Sequence, residues 1–447
     1  MKSFATIAAL AAVVAAKGSL TPIEVKGNAF WKGTERFYVR GVAYQPGGAA
    51  DAKDPLLDLE SLKRDVDNFK KLGINTIRIY TIDNSKNHDE GMKMLDDAGI
   101  YLALDANTPK YSLNRENEDT LRASYNEEYL RSVFATVDAF QDYSNLMVFF
   151  SGNEVINAKN NSNAAPFIKA VTRDMKQYIS NRSPRTIPVG YSAADVSEII
   201  EQQALYFDCG TDDERADFFA FNDYSWCDFE DKLQTFEGAG WKTKMETYKD
   251  FPRPIFLSEH GCIEPNRQWG EVAAIYSDKM SSVYSGGLAY EYTVEPNGYG
   301  IVDLKDGSIE TNEDFDSLKE AYSKAKDPSG DGGAKTSGTP SKCPPKDKNW
   351  EVEGTLLPAI PAKAVAFMDS GAGTAPGLDG KGSHFAGTPS KGTATPGSGQ
   401  ATRTPDGQAA PVNNGGNGAS AANNVEIPMK FFGMVGASVL LGAALMF

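Results

Sequence analysis

An α/β fold, a single (β/α)8 barrel, is what this 447-residue sequence predicts, on three observations. Eight short apolar runs alternate with helical patterns over about 300 residues, the rhythm of parallel strands joined by helices. No glycine-rich phosphate-binding turn follows the first run, which counts against a doubly wound open sheet. Two glutamates close the fourth and seventh runs, at the strand ends where barrels of this kind gather their reactive groups.

The elements follow in order. Met1 and Lys2 precede an apolar stretch from Phe4 to Ala16 with a small-residue exit of the Ala-x-Ala type, so residues 1–16 read as a secretory signal peptide. The stretch is too short to span a membrane as an anchor. The barrel is expected over 17–327, its strands at 37–44, 75–80, 101–105, 146–150, 186–191, 218–224, 254–258 and 287–292. These runs are rich in β-branched and aromatic residues and end at Gly, Asn or Asp. Between them, Leu59, Leu62, Val66, Phe69 and Leu72 share one helix face, as do Leu130, Val133, Phe134, Val137 and Phe140. Phe315, Leu318 and Tyr322 mark a last helix.

Composition changes near residue 328. From there to 418 the chain is rich in Gly, Ser, Thr, Pro and Ala and predicts a disordered, O-glycosylated stalk. Residues 350–368, with Leu356, Leu357 and Ile360, either pack on the barrel or are linker. At the end, Gly418-Ala-Ser is followed by a polar spacer over 421–430 and an apolar tail over 431–447. That order reads as a glycolipid-anchor signal, with attachment at Gly418, removal of 419–447 and a place on the outer leaflet of the plasma membrane. A plain tail anchor is the alternative, and it sits poorly with an N-terminal signal peptide.

Net charge is −15 without a run of Lys or Arg, which excludes nucleic acid as a partner. Cys209, Cys227, Cys262 and Cys343 contain no CxxC pair and favour two disulfides in a secreted chain, with three pairings open. Only three histidines occur, and neither a metal nor an organic cofactor is expected. Asn160-Asn-Ser and Asn181-Arg-Ser are N-glycosylation sequons.

Glu154 ends Leu146-Met-Val-Phe-Phe-Ser-Gly-Asn-Glu, and Glu259 ends Pro254-Ile-Phe-Leu-Ser-Glu. Two carboxyls in one cleft are what acid-catalysed cleavage of a glycosidic bond requires, one to protonate the leaving oxygen and one to attack or steer water. Gln45, Arg78, Asn107, Asn153, Asn222, Tyr224 and Tyr290 fall at the same strand ends. A buried Arg and Tyr beside a carboxylate would hold it ionised and aimed. Trp226, Trp241 and Trp269, with Tyr80 and Tyr111, offer flat faces for sugar stacking, with core or rim packing the equal alternative. His260 reads as a packing neighbour of Glu259, and Asp105 as a cap on the segment after it.

Several segments together resemble the fungal β-1,3-glucanosyltransferases of glycoside hydrolase family 72. They are Tyr44-Gln-Pro-Gly-Gly, Asn75-Thr-Ile-Arg-Ile-Tyr-Thr-Ile-Asp, Asp105-Ala-Asn-Thr-Pro, Gly152-Asn-Glu-Val, Pro188-Val-Gly-Tyr-Ser, Phe256-Leu-Ser-Glu-His-Gly-Cys and Met280-Ser-Ser-Val-Tyr-Ser-Gly-Gly-Leu-Ala-Tyr. The resemblance runs from about residue 20 to 325. It implies a monomer at the outer face of the plasma membrane that cuts β-1,3-glucan and rejoins the new reducing end to another glucan chain. It implies Glu154 as acid/base, Glu259 as nucleophile, and Gln45, Asn153, Tyr224 and Tyr290 around the donor sugar. It also implies Cys227–Cys262 and Cys209–Cys343 as disulfides, the second pinning the start of the stalk. Departures are Leu62 and Gly91 in place of a cysteine pair, His260 for an aromatic, Ile263 for Asn, and Trp241 where the acceptor side usually has Tyr. A hydrolase of the same architecture, a mannan- or cellulose-cleaving barrel and an inactive wall-binding protein are the other readings.

Overall fold

The first barrel strand is preceded by an antiparallel meander that the sequence reading missed: β1 (Ile23–Lys26), β2 (Ala29–Lys32) and β3 (Glu35–Phe37). The computed structural model describes residues 17–394 apart from 49–51, 230–231, 265–266, 306–307 and 355. The signal peptide, Gly418 and the apolar tail lie outside the described residues. Phe30 of β2 meets Phe218 and Phe256 inside the barrel, ring centroids 5.9 and 5.7 Å apart. The meander therefore plugs the N-terminal end of the barrel with apolar side chains and leaves the other end open to polar groups.

Eight parallel strands then close the barrel: β4 (Val39–Ala43), β5 (Thr76–Ile79), β6 (Tyr101–Asp105), β7 (Leu146–Asn153), β8 (Val189–Ala194), β9 (Phe218–Asp223), β10 (Ile255–His260) and β11 (Tyr284–Ala289). All eight expected runs are there. The fifth and eighth are displaced. Pro188 has no N–H to give the ladder, so pairing on β8 begins at Val189. The eighth begins three residues earlier than expected, because β11 approaches β4 closely through its glycines. A Cβ on Gly286 would stand 2.0 Å from Val39 O. Tyr290 thus follows the strand rather than lying on it.

The expected helices form as α1 (Leu59–Leu72), α4 (Glu127–Phe140) and α9 (Glu313–Lys324), with α2 (Asp89–Asp97), α3 (Glu118–Ser124), α5 (Ala165–Arg182), α6 (Ile200–Asp208), α7 (Trp241–Tyr248) and α8 (Gly270–Ile275) between. Asp58, Asn126 and Asn312 cap α1, α4 and α9 by accepting backbone N–H bonds. A hairpin of β12 (Val302–Lys305) and β13 (Ser308–Thr311), also unforeseen, precedes α9.

The expected stalk does not begin at 328. Residues 328–394 lie along the barrel, with Trp350, Leu357, Ile360, Ala364 and Met368 all buried. Each large anchor contributes about 1.5–3 kcal/mol against the entropy of fixing the segment. Trp350 packs on Tyr206 at 5.5 Å, and Cys209–Cys343 fastens the strap covalently across a separation of 134 residues. Its last strand pair, β14 (Leu357–Pro358) and β15 (Thr393–Ala394), returns the chain to α5. Composition misled here because a few well-placed large side chains and one disulfide hold a segment whose average hydrophobicity is low.

Candidate active site

Strand alternation decides what faces the interior. Tyr101, Ala103 and Asp105 point inward from β6, and Arg78 points inward from β5. Phe150, Phe218 and Phe256 fill the middle of the barrel. Arg78 rests on this apolar floor, its guanidinium 4.4 Å from the Phe150 ring and 4.3 Å from the Tyr80 ring. On β10 the register with β9 slips between Leu257 and Glu259. That bulge turns Glu259 toward the barrel axis although Ser258 also points there.

Glu259 is 1% exposed. Its Oε1 accepts from Tyr80 OH at 2.8 Å and from Arg78 Nη1 at 3.4 Å; its Oε2 accepts from Tyr224 OH at 2.7 Å. Burial is the largest influence on its carboxyl and pushes it up to about 7. Arg78 pulls against that, the neighbouring Glu154 adds to it, and the two tyrosine bonds oppose it. Both tyrosines are themselves pushed up, chiefly by burial, so they stay protonated donors.

Arg78 is not a free charge. It forks onto Asp105, Nε to Oδ2 at 2.9 Å and Nη2 to Oδ1 at 3.1 Å. Asp105, expected to cap a segment, is the counter-ion that holds Arg78 in place. Its position at the end of an inward-facing strand alternation was the signal that could have found it.

Glu154 differs in each respect. It is half-buried, and its backbone lies in the left-handed region at φ +48°. For a glutamate that costs about 1–3 kcal/mol, a conformation kept by its surroundings. Its Oε1 accepts from Asn222 Nδ2 at 2.7 Å. Asn222 pairs in register with Glu259 on the neighbouring strand. The Asn153 Oδ1 accepts from Ser192 Oγ at 2.8 Å and from Asn222 Nδ2 at 3.2 Å. Ser258 Oγ donates to Asn222 Oδ1 at 2.9 Å, completing a hydroxyl–amide layer below both carboxyls. The two serines carried no signal in the sequence beyond their neighbours.

The other predicted residues divide. Tyr290 stands at the mouth with Tyr224 and Tyr299, edge to face at 5.4–6.3 Å; Tyr299 was missed because it lies on a loop. Gln45 spends its amide on loops: Oε1 accepts from the Tyr80 and Thr81 N–H groups and Nε2 donates to Lys53 O at 2.8 Å. It braces the segment that carries Tyr80. Asn107 Oδ1 accepts from Tyr129 OH at 2.5 Å.

Trp241 is a correction. It is 1% exposed, its ring 4.9 Å from Trp226 and its Nε1 donating to Ser225 Oγ. It has no open face for a sugar and is a packing residue, as are the buried Trp226, Trp269 and Tyr111. His260 packs as expected, bonded to Glu271 at 3.0 Å and edge-on to Trp269. Cys227–Cys262 ties the loops after β9 and β10, Cα atoms 5.1 Å apart. Gly91 packs so tightly on Leu56 that a Cβ would stand 2.4 Å from its carbonyl oxygen. There α2 is closed by packing on the segment that leads into α1 rather than by a cysteine pair.

Residues 12–326 match the family described as glucanosyltransferase, glycoside hydrolase family 72. The chain belongs to that family. The sequence is 53% identical over 390 residues to the 1,3-beta-glucanosyltransferase gel1 of Aspergillus fumigatus, covering 85% of each. It is 49% identical over 379 residues to the 1,3-beta-glucanosyltransferase GAS5 of Saccharomyces cerevisiae, covering 83% of this chain and 77% of that one. Among solved structures, a glutamine mutant of Saccharomyces cerevisiae Gas2p in complex with laminaritetraose and laminaripentaose superimposes with a TM-score of 0.69. It is 35% identical, with 77% of this chain and 76% of that one covered. The glucanosyltransferase family is thus represented here on a closed eight-stranded parallel barrel with both glutamates at its open end.

Proposed function

We propose that this chain is a cell-wall β-1,3-glucanosyltransferase that cleaves β-1,3-glucan and transfers the new reducing end to another glucan chain by retaining double displacement. The observation that carries this is the unequal setting of the two carboxyls. Glu259 lies on the barrel floor with hydrogen-bond donors on both oxygens. Glu154 stands half-exposed at the mouth, where a leaving oxygen and an acceptor can reach it.

In the first step Glu259 attacks the anomeric carbon, the C1–O bond breaks, and the departing oxygen takes the proton of Glu154. Arg78, Tyr80 and Tyr224 hold the attacking carboxylate against rotation, so its orientation is fixed before substrate arrives. In the second step Glu154, now a base, removes the proton of an incoming glucan hydroxyl, which displaces Glu259 from C1. Transfer requires that a held acceptor outcompete water, and positioning can outweigh the concentration of water. Tyr224, Tyr290 and Tyr299 supply aromatic edges and faces beside Glu259 for sugar contacts, and Asn153 the amide at the donor side.

The route to the cell surface belongs to the same reading. Residues 1–16 direct secretion, Gly418 carries a glycolipid anchor on the outer leaflet, and Asn160 and Asn181, both exposed, carry N-glycans. The enzyme acts as a monomer.

Incubating residues 17–417 with a reduced laminari-oligosaccharide of about ten units, a length that fills an extended cleft, tests the reaction. Products longer than the starting chain identify a transferase. Shorter chains alone at high substrate concentration identify a hydrolase, and an unchanged mixture a wall-binding protein.

A further inference from the structure

The left-handed backbone of Glu154 is held from outside its own strand. Its N–H donates to Ser192 O at 2.8 Å, and two residues on the Ile156 N–H donates to the Tyr191 hydroxyl at 3.0 Å. The carbonyl of Glu154 accepts from Arg115 Nη1, which also lies 3.4 Å from the carbonyl of Val155. Arg115 comes from the loop between β6 and α3. That loop is fastened by the strap: Lys110 Nζ donates to Leu378 O at 2.7 Å, Ser383 N–H to Lys110 O at 2.9 Å, and Ser112 Oγ meets His384 Nε2 at 2.9 Å.

We propose that Arg115 is a positioning residue for the acid/base glutamate. By gripping two successive carbonyls, its guanidinium keeps the main chain in the turn that aims the Glu154 carboxyl at the leaving oxygen. The inference rests on the reading of Glu154 as acid/base. A charged donor on main-chain carbonyls is stronger than a neutral one, and a single guanidinium nitrogen, Nη1, serves both oxygens. Lysine can supply the charge, but its nitrogen ends one bond nearer the backbone.

The test separates aim from folding by changing the leaving group. A glucan hydroxyl needs the proton of Glu154 to depart, whereas 2,4-dinitrophenolate leaves as an anion when Glu259 bonds to C1. Wild type, Arg115→Ala, Arg115→Lys and Glu154→Ala are compared on reduced laminari-oligosaccharide and on a 2,4-dinitrophenyl laminari-oligoside, following the first-turnover release of dinitrophenolate. Arg115→Ala is expected to lower glucan transfer by about 10- to 100-fold, as for a misplaced catalytic group. Its dinitrophenolate burst should stay within about threefold of wild type, because that step asks nothing of the acid. Arg115→Lys should fall between wild type and Arg115→Ala on glucan, and it carries the comparison alone if Arg115→Ala does not fold. Equal losses on both donors, or unchanged glucan transfer, would overturn the proposal. Glu154→Ala losing both donors equally would instead show that Glu154 is not the acid, a different failure from a healthy Glu154 response with an indifferent Arg115.

Discussion

Asn222 joins the two halves of the site: it stands in register with Glu259 on the adjoining strand and gives its amide N–H to Glu154 Oε1 at 2.7 Å. One side chain thus sets the acid relative to the strand that carries the nucleophile. A hydrogen bond to a charged group is worth about 1.5–3 kcal/mol. Asn222→Ala should therefore lower kcat on laminari-oligosaccharides by roughly 10- to 100-fold. A loss confined to KM would show that Asn222 only binds sugar.

Tyr80 and Tyr224 hold opposite oxygens of one carboxylate. Tyr80→Phe and Tyr224→Phe should each reduce kcat/KM by about tenfold or more, and the double variant should lose less than the product of the two. Steady-state kinetics on all three variants measures the coupling. Strict multiplicativity would mean that the two hydroxyls do not share Glu259.

The buried carboxyl of Glu259 should make the resting enzyme less stable as pH rises. Its ordinary value is 4.5 and in the folded barrel burial pushes it up to about 7. Between those values the folded chain keeps a proton that the unfolded chain has released, so stability falls by about 3 kcal/mol across the interval. Glu259→Gln has no such proton. Its Tm advantage over wild type should be small at pH 4, grow up to about pH 7 and level off beyond. A constant Tm difference from pH 4 to pH 8 would sink this account.

Trp241 should report on stability rather than on acceptor binding. Emptying a buried tryptophan site costs about 3–5 kcal/mol, so Trp241→Ala should lower Tm strongly. Trp241→Phe should keep an acceptor KM close to wild type. A selective rise in acceptor KM with unchanged Tm would restore its sugar-stacking role.

Cutting the covalent fastening of the strap should loosen the strap before the barrel. Closing a loop of 134 residues is worth about 5 kcal/mol in chain entropy. Cys343→Ser should make 328–394 the first segment cleaved in limited proteolysis, with the barrel resistant. Simultaneous loss of both would mean that the two do not open separately.

The eight strands and the two glutamates were legible because each depends on a local pattern: an apolar run, its stop, and a carboxylate just beyond. Arg78 was legible too, since an arginine inside a strand must find a partner. Asp105, its partner on the neighbouring strand, was read as a cap, because the inward alternation of its strand was the one mark of a counter-ion and the run and stop around it suit a capping aspartate as well. Trp241 was misassigned for the same reason. A tryptophan offers the same ring to a sugar or to another tryptophan, and only burial decides. The strap was legible only in part, at Cys343 and 350–368, since a few anchoring residues are averaged away in a long polar stretch. Arg115 gave no sign at all, because its partner is a main-chain carbonyl that any sequence would supply.

The strap also sets a length. With the anchor proposed at Gly418, residues 395–418 are what would separate the end of the strap from the lipid, a length of chain that can span at most roughly 85 Å. Counted from 328, the same tether would reach roughly 330 Å. With 328–394 wrapped against the barrel, the proposed anchor would be a short leash, one that would keep the catalytic mouth on glucan laid down next to the membrane.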